Sequence, residues 1–377
     1  MKQNTGTVDG QVEVKGDEVD TVIIGAGQCG LSTGYYLSKL SRSFVILDEN
    51  ERVGDNWRRR YDSLRLYTPS RYNGLPGMAF PGSRSAFPSG QELADYLQEY
   101  AARFDLPVRG STIVERVERL SSAEGGFLVT TNTGTVRAAN VVVATGPQHL
   151  PHVPDFAGEL DPEIRQFHSS DYRNQSQLQP GPVLVVGASH SGADLAMECA
   201  PDHPTWLVGR DTGQIPINIE GRLARGVLPV LWFVANHVLT VRNPAGSKLQ
   251  HELRTEGGPL LRYKNEDLDA AHVHRTESRL AGVREGQPVL DDGTVLDVTN
   301  VLWCTGFRRD FSWIDLPILD DLGWPRAERG VSPDVDGLYF VGLIFQFSFA
   351  SMLVGGAGRD ARHVARQIAR REVLVRT

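Results

Sequence analysis

Two glycine-punctuated runs carry the clearest chemistry in this sequence. The apolar run Val22-Ile23-Ile24 leads into Gly25-Ala26-Gly27-Gln28-Cys29-Gly30, a GxGxxG pattern. After a strand and before a helix, such a loop cradles a pyrophosphate. Gly25 permits the tight turn, Gly27 lets the backbone approach the phosphates, and Gly30 lets helix and strand pack closely. Gln28 stands at the helix N-terminus, which offers N–H donors and a positive dipole end. The next apolar run, Phe44-Val45-Ile46-Leu47, ends at Asp48, where a carboxylate would bond a ribose diol.

The plan returns 162 residues later, in Val183-Leu184-Val185-Val186 and then Gly187-Ala188-Ser189-His190-Ser191-Gly192. Ser189 replaces the middle glycine, so the backbone approach is less close there. Ser189 and Ser191 can instead donate hydroxyls to phosphate. The following run, Thr205-Trp206-Leu207-Val208, leads to Gly209-Arg210. Asp48 and Arg210 both lie 23 residues after the first glycine of their loop. A carboxylate there favours a free 2′-hydroxyl, whereas an arginine accommodates a 2′-phosphate. The comparison points to NADPH at the second loop. It leaves a cofactor with a free ribose diol, such as FAD, for the first.

These loops need strands and helices to aim them. A second echo recurs at nearly the same offset: Asn140-Val141-Val142-Val143-Ala144-Thr145-Gly146 and Asn300-Val301-Leu302-Trp303-Cys304-Thr305-Gly306. The chain therefore reads as α/β, with two Rossmann-like dinucleotide-binding units, the NADPH unit inserted in the FAD unit. Helical periodicity marks 91–104, where Leu93, Tyr96, Leu97 and Tyr100 share a face, and 360–371 reads as a further helix. Phe127 to Thr131 has strand character, and Asp292-Gly293 reads as a hairpin turn. The stretch 147–182, rich in Pro, Asp, Gln and Ser, marks a domain crossing. These signals assign 18–150 and 301–377 to the FAD unit, 151–300 to the NADPH unit, and 1–17 to a flexible tail.

The chain has 377 residues, 40% of them hydrophobic, and a net charge of −7. That is globular composition, and mild acidity argues against nucleic-acid binding. Cys29, Cys199 and Cys304 form no CxxC pair, which excludes a thioredoxin-type dithiol and disfavours a disulfide framework. Cysteine and histidine spacing offers no metal site, and His272 and His274 read as solvated. No secretory signal pattern is visible, so a cytoplasmic protein is expected. The apolar stretch 227–241 is shorter than the ~20 residues that cross a bilayer. It reads as a buried or pocket-covering helix, with interfacial membrane contact as the alternative.

Taken together, 19–371 resembles the flavin-containing monooxygenase family, in its bacterial and YUCCA-like branch. Gly54-Asp55-Asn56-Trp57 resembles the family's GGxW segment along the flavin. The runs 63–69 and 75–77, with Thr68, resemble the stretch beside the isoalloxazine. Ala144-Thr145-Gly146 and Cys304-Thr305-Gly306 resemble its two inter-domain hinges. The runs 337–342, ending at Gly342, and 358–361 resemble its closing flavin segment and last helix. The linker FxGxxxHxxx(Y/F) is present in parts, as Phe156, Gly158, His168 and Tyr172, but its spacing is longer. Tyr172 stands where Baeyer–Villiger relatives carry tryptophan, which favours heteroatom oxidation or oxidative decarboxylation. Pro69 stands where animal members place an asparagine, and nearby Asn73 is not assigned that role.

The resemblance implies an enzyme that uses FAD, NADPH and O2 to oxygenate a small organic substrate through a C4a-hydroperoxyflavin. No side chain is obliged to act as acid, base or nucleophile, so no catalytic residue is assigned. His168 is either a linker histidine that bonds backbone or a group that closes the NADPH domain on the flavin. Residues 215–283 are expected to shape the pocket. Two other functions compete: a flavin-dependent NADPH oxidase or reductase without oxygen insertion, and a non-catalytic flavoprotein that senses redox state. The sequence leaves substrate and oligomeric state open.

Overall fold

The computed structural model describes residues 17–121, 125–221, 224–255 and 258–371. The expected tail therefore lies outside the described residues, except Asp17, which opens the first strand. The first unit runs β1 (Asp17–Ile24), α1 (Gln28–Lys39), β2 (Phe44–Leu47), α2 (Asp55–Arg58), α3 (Gly90–Arg103), β3 (Val108–Arg109), β4 (Val114–Arg119), β5 (Phe127–Thr131) and β6 (Gly134–Val143). The chain then leaves through β7 (Leu150–Pro151) and β8 (Arg165–His168). The second unit continues with β9 (Val183–Val186), α4 (His190–Cys199), β10 (Thr205–Val208), α5 (Ala224–Phe233), α6 (Pro244–Thr255), α7 (Asn265–Ala270) and β11 (His274–Thr276). After β12 (Leu280–Arg284), β13 (Gln287–Leu290) and β14 (Asn300–Trp303), the chain returns through β15 (Phe307–Arg308) to β16 (Leu338–Phe340) and α8 (Ala357–Arg370).

The first sheet has the order β3-β2-β1-β6-β5-β4. One edge of long β6 is shared: its first half pairs antiparallel with β5, and its second half pairs parallel with β16. A strand from beyond the second unit thus completes the first sheet, which is the signature of an insertion. The second sheet is wholly parallel, in the order β11-β10-β9-β14-β8. Because β14 belongs to it, the return crossing falls at 304–306, slightly beyond the residue 301 expected from sequence. The outgoing and returning chains pair with each other, Phe307 opposite Pro151.

Central strands buried on both faces need continuous apolar runs, and the sequence supplies them. Ile23, Ile46 and Val142 pack with Leu31 and Leu37 of α1 and Val364 and Ile368 of α8. The alternate residues Val22, Ile24 and Val143 face Phe127, Phe311 and Trp324 on the other side. The hairpin turn at Asp292-Gly293 forms as expected, with the Leu290 N–H donating to the Thr294 carbonyl at 2.9 Å. His272 and His274 are both exposed.

Of the two forms expected for the apolar stretch 227–241, buried or pocket-covering, the structure shows the second: Leu228 lines a cavity of about 200 Å³, and most of the stretch is not buried. Val230 is 61% exposed and Phe233 57%. Inward packing is carried by Trp232, stacked on Tyr72 with ring centroids 4.8 Å apart. A run apolar on every side has no periodicity to say which side faces in. No described helix is long and apolar enough to cross a membrane.

Helix α3 covers the glycine-loop side of the first sheet with Leu93, Tyr96, Leu97 and Tyr100, the face read from sequence. Its start is fixed by a capping box. The Ser89 hydroxyl accepts from the Glu92 N–H at 3.1 Å, and the Glu92 carboxylate accepts from the Ser89 N–H at 2.7 Å. Ser89→Ala should lower stability by about 1 kcal/mol. A thermal melt checks this, and the sheet content by circular dichroism should not change.

Candidate functional site

The two sheets present their C-terminal edges as two similar shelves. On the first, Ile24, Val143 and Phe340 lie side by side, so Gly25, Gly146 and Gly342 leave neighbouring strands. Gly25 has φ +106°, and a Cβ there would stand 2.7 Å from the Ala144 carbonyl oxygen. A Cβ at Gly30 would stand 1.9 Å from the Gly25 carbonyl oxygen, so α1 meets β1 backbone to backbone. A Cβ at Gly27 would meet nothing within 4 Å. Gly25 and Gly30 thus permit close packing, and Gly27 faces open space at the helix N-terminus. Gly342, with φ +84°, lies against Cys29, whose sulfur would be 2.9 Å from an added Cβ.

Asp48 is held against this loop. Its Oδ2 accepts from the Ala26 N–H at 2.6 Å, and its Oδ1 accepts from the Asn50 N–H and side-chain amide, each at 2.9 Å. The carboxylate therefore stands at the loop's mouth. Asn56 is exposed on α2, and Trp57 is half-buried against the first core. Thr68 donates its hydroxyl to Asn73. Asn73 is fully buried and spends its amide nitrogen on the carbonyls of Thr68 and Pro69. It fixes the backbone of this loop.

The second shelf repeats the packing glycines. A Cβ at Gly187 would lie 2.4 Å from the Cys304 carbonyl oxygen, and one at Gly192 would lie 1.7 Å from that of Gly187. The serines are already engaged. Ser189 donates its hydroxyl to the Gly258 carbonyl at 3.0 Å, and His190 bonds the Pro259 carbonyl through Nε2 at 2.7 Å. Ser191 lies beside the Tyr61 hydroxyl. The segment 258–260 thus rests on the N-terminus of α4. Arg210 is exposed at the end of β10.

The hinges are buttoned by histidines. His149 bonds the Gly146 carbonyl through Nε2 at 2.7 Å and accepts the Asp310 N–H through Nδ1 at 2.9 Å. His168 bonds the Gly306 carbonyl through Nε2 at 2.9 Å, and burial pushes its pKa down. The buried imidazole thus bonds backbone, as a linker histidine would. Gly146 and Gly306 have φ of +74° and +79°. The Thr305 hydroxyl donates to the His152 carbonyl. Buried Tyr172 donates to Glu198 at 2.8 Å.

Sequence reasoning missed the junction between the units. Asp194 of α4 is 8% exposed and accepts from the hydroxyls of Tyr61 at 3.1 Å and Tyr67 at 2.7 Å, both from the first unit. Arg262 pairs with it at 3.6 Å and also donates to the Leu66 carbonyl. Burial raises the Asp194 pKa, opposed by the Tyr67 hydroxyl and the Arg262 charge. The only sequence signal was an acid on the buried side of a helix.

The three cysteines are free thiols. Burial pushes Cys29 and Cys199 each up to about 12, and Cys304 is also raised. Among the described residues no cluster could hold a metal ion.

Comparison with known proteins adds identity to this geometry. Residues 22–213 match the family model described as pyridine nucleotide-disulphide oxidoreductase. The chain is 40% identical, over 93% of its length, to an uncharacterized CzcO-like oxidoreductase of Geobacillus kaustophilus, of which 98% is covered. It is 28% identical to a probable indole-3-pyruvate monooxygenase, YUCCA7, of Arabidopsis thaliana, covering 92% of this chain and 87% of that one. Among solved structures, a mutant flavin monooxygenase from Stenotrophomonas maltophilia superposes with a TM-score of 0.73 at 25% identity, covering 94% of this chain and 98% of that one.

Two outcomes follow from the loop and the junction. Gly30→Ala should cost about 1–3 kcal/mol through overpacking. Gly27→Ala should melt like the parent yet retain less flavin, read from the absorbance of the purified protein. Asp194 holds its proton more tightly folded than unfolded. Its contribution is therefore full below the unfolded pKa and is lost as pH rises through the folded one. Asp194→Asn should flatten that fall in a series of melts taken upward from about pH 4.

Proposed function

This chain belongs to the pyridine nucleotide-disulphide oxidoreductase family and shares the plan of flavin-containing monooxygenases, and from that premise we propose that it is an NADPH-dependent flavin monooxygenase. It would place one oxygen atom from O2 into a small organic substrate. The observation that carries the reading is the pair of matched glycine shelves, one followed by Asp48 and the other by Arg210. FAD, when bound, supplies two-electron transfer and oxygen activation.

The residues divide into binding and positioning work. Gly25, Gly27, Gln28 and Gly30 would hold the FAD pyrophosphate at the N-terminus of α1, with Asp48 on the ribose. The open space beside Gly27 fits that assignment. Asn56, Trp57 and Thr68 would line the ring, and Gly146, Thr305, Gly306 and Gly342 would close the edges where the chain changes units. Gly187, Ser189, Ser191, Gly192 and Arg210 would hold NADPH. For Ser189 to donate to phosphate, its hydroxyl must leave the Gly258 carbonyl. That exchange needs only a rotation of the Ser189 hydroxyl. Cys29 and Cys199 are buried, and burial raises both thiols, which favours the monooxygenase reading over a reductase that works through a CxxC dithiol. His168 would be a positioning residue that holds the Gly306 hinge.

The holoprotein, reduced by NADPH without oxygen and then mixed with oxygenated buffer, tests the reading. The expected record shows a transient flavin spectrum distinct from both end states, and substrate raises product formed per NADPH. Direct return to oxidised flavin, with peroxide matching NADPH and no product from any substrate, would replace monooxygenase with oxidase. Arg210→Asp should lower the preference for NADPH over NADH by about tenfold, the scale of one charge-assisted contact. Steady-state kinetics with the two nucleotides measures it.

A further inference from the structure

The outer side of α5 is an apolar strip. Val227, Val230, Leu231, Phe233 and Val238 are each 37% to 61% exposed, on the helix and on the one wide turn, 234–238, that ends it. Among the exposed residues of 227–238, His237 is the one polar side chain, and its ring stacks on Phe233 at 4.7 Å between centroids. A continuous apolar strip on a surface marks a place that something covers.

Charge points to what covers it. The wide turn is sewn to a cluster of arginines around Phe347. Arg359 of α8 donates to the Asn236 carbonyl, and the Val241 N–H donates to the Phe347 carbonyl at 3.0 Å. Arg242 lies 5.5 Å and Arg329 4.2 Å from the centre of the Phe347 ring, Arg329 with its backbone in the left-handed region at φ +51°. Arg366 and Arg370 follow on the exposed side of α8. Burial, with the charges of Arg329, Arg370, Arg242 and Arg366, pushes the His363 pKa down. Among the described residues none of these four arginines is in an ion pair. The nearby carboxylate, Asp360, is 3% exposed and lies 3.8 Å from Arg359, so it is withdrawn from this surface. At the other end of the strip, Leu228 shares a cavity wall with exposed Arg65, whose guanidinium bonds the Phe87 carbonyl at 3.3 Å. Glu220, the acid of that wall, is held by Arg262 at 2.9 Å. The whole chain carries −7, so this gathering of cations is local.

From the apolar strip and the arginines that flank it, we infer that this face docks on an anionic phospholipid surface. Val230 and Phe233 enter the interface, and Arg242, Arg329, Arg366 and Arg370 meet the phosphates. An acidic polymer would satisfy the arginines and leave the strip in water. A second copy, related by a two-fold axis, would bring the same arginines against one another. A bilayer surface meets both halves of the face at once. The inference stands apart from which reaction the flavin performs.

Co-sedimentation of the holoprotein with vesicles tests this. Vesicles of phosphatidylcholine with about one-third phosphatidylglycerol should bind it, and phosphatidylcholine alone should bind it far less. Salt at about 0.5 M should release it. Arg242→Gln and Arg366→Gln should each weaken binding to the anionic vesicles about fivefold, the factor one cation near such a surface supplies. Arg284→Gln, the same loss of charge on β12, should leave binding unchanged. Phe233→Ser should weaken binding without lowering the thermal melt, because the ring is exposed. Absence of binding, equal binding to both vesicles, or an Arg284→Gln loss as large as that of Arg242→Gln overturns the inference. So does a holoprotein that ignores vesicles but passes from two copies to one in light scattering on Phe233→Ser, which would make this face a dimer interface.

Discussion

The structure depends on backbone contacts that only glycine allows. At both shelves the first turn of a helix sits so close to the preceding strand end that an added Cβ would lie within 2 Å of a carbonyl oxygen. That closeness aims α1 and α4 along their strands. It brings the unpaired N–H groups of each helix to the sheet edge, where an anion can meet them. The apolar strands, the helices above and below them, and the position of Asp48 or Arg210 all follow from that geometry.

The second requirement is that two shelves on separate sheets be held against each other. The chain meets it by passing out and back through adjacent segments. β7 and β15 pair, the hinge glycines adopt left-handed backbone, and His149 and His168 hold the hinge carbonyls. Across the remaining contact the ties are both polar and apolar. Tyr61 and Tyr67 reach Asp194, and Arg262 reaches the Leu66 carbonyl. Trp232 stacks on Tyr72, and Tyr61 packs into the second unit's core. The polar ties fix register between the units, and the aromatic contacts add apolar burial.

At the second shelf the helix end is already engaged by protein. Ser189 and His190 bond the carbonyls of Gly258 and Pro259. Satisfied donors keep a helix end stable until a ligand replaces their partners.

The sequence by itself determined the duplicated α/β plan. Periodicity and glycine spacing are local properties, and the strands at Val22–Ile24, Phe44–Leu47, Val183–Val186 and Thr205–Val208, with helix α3 and its buried face, appear where those patterns put them. The packing roles of Gly25 and Gly30 were equally legible, because their spacing encodes them. Only the tertiary structure decided which side of the apolar stretch at α5 faces inward, since a uniformly apolar run carries no direction. Only it placed Asp194 under Tyr61 and Tyr67, and Arg242 and Arg329 over Phe347. Those partners lie far apart in the chain, and no local pattern can report which side chains a fold brings together.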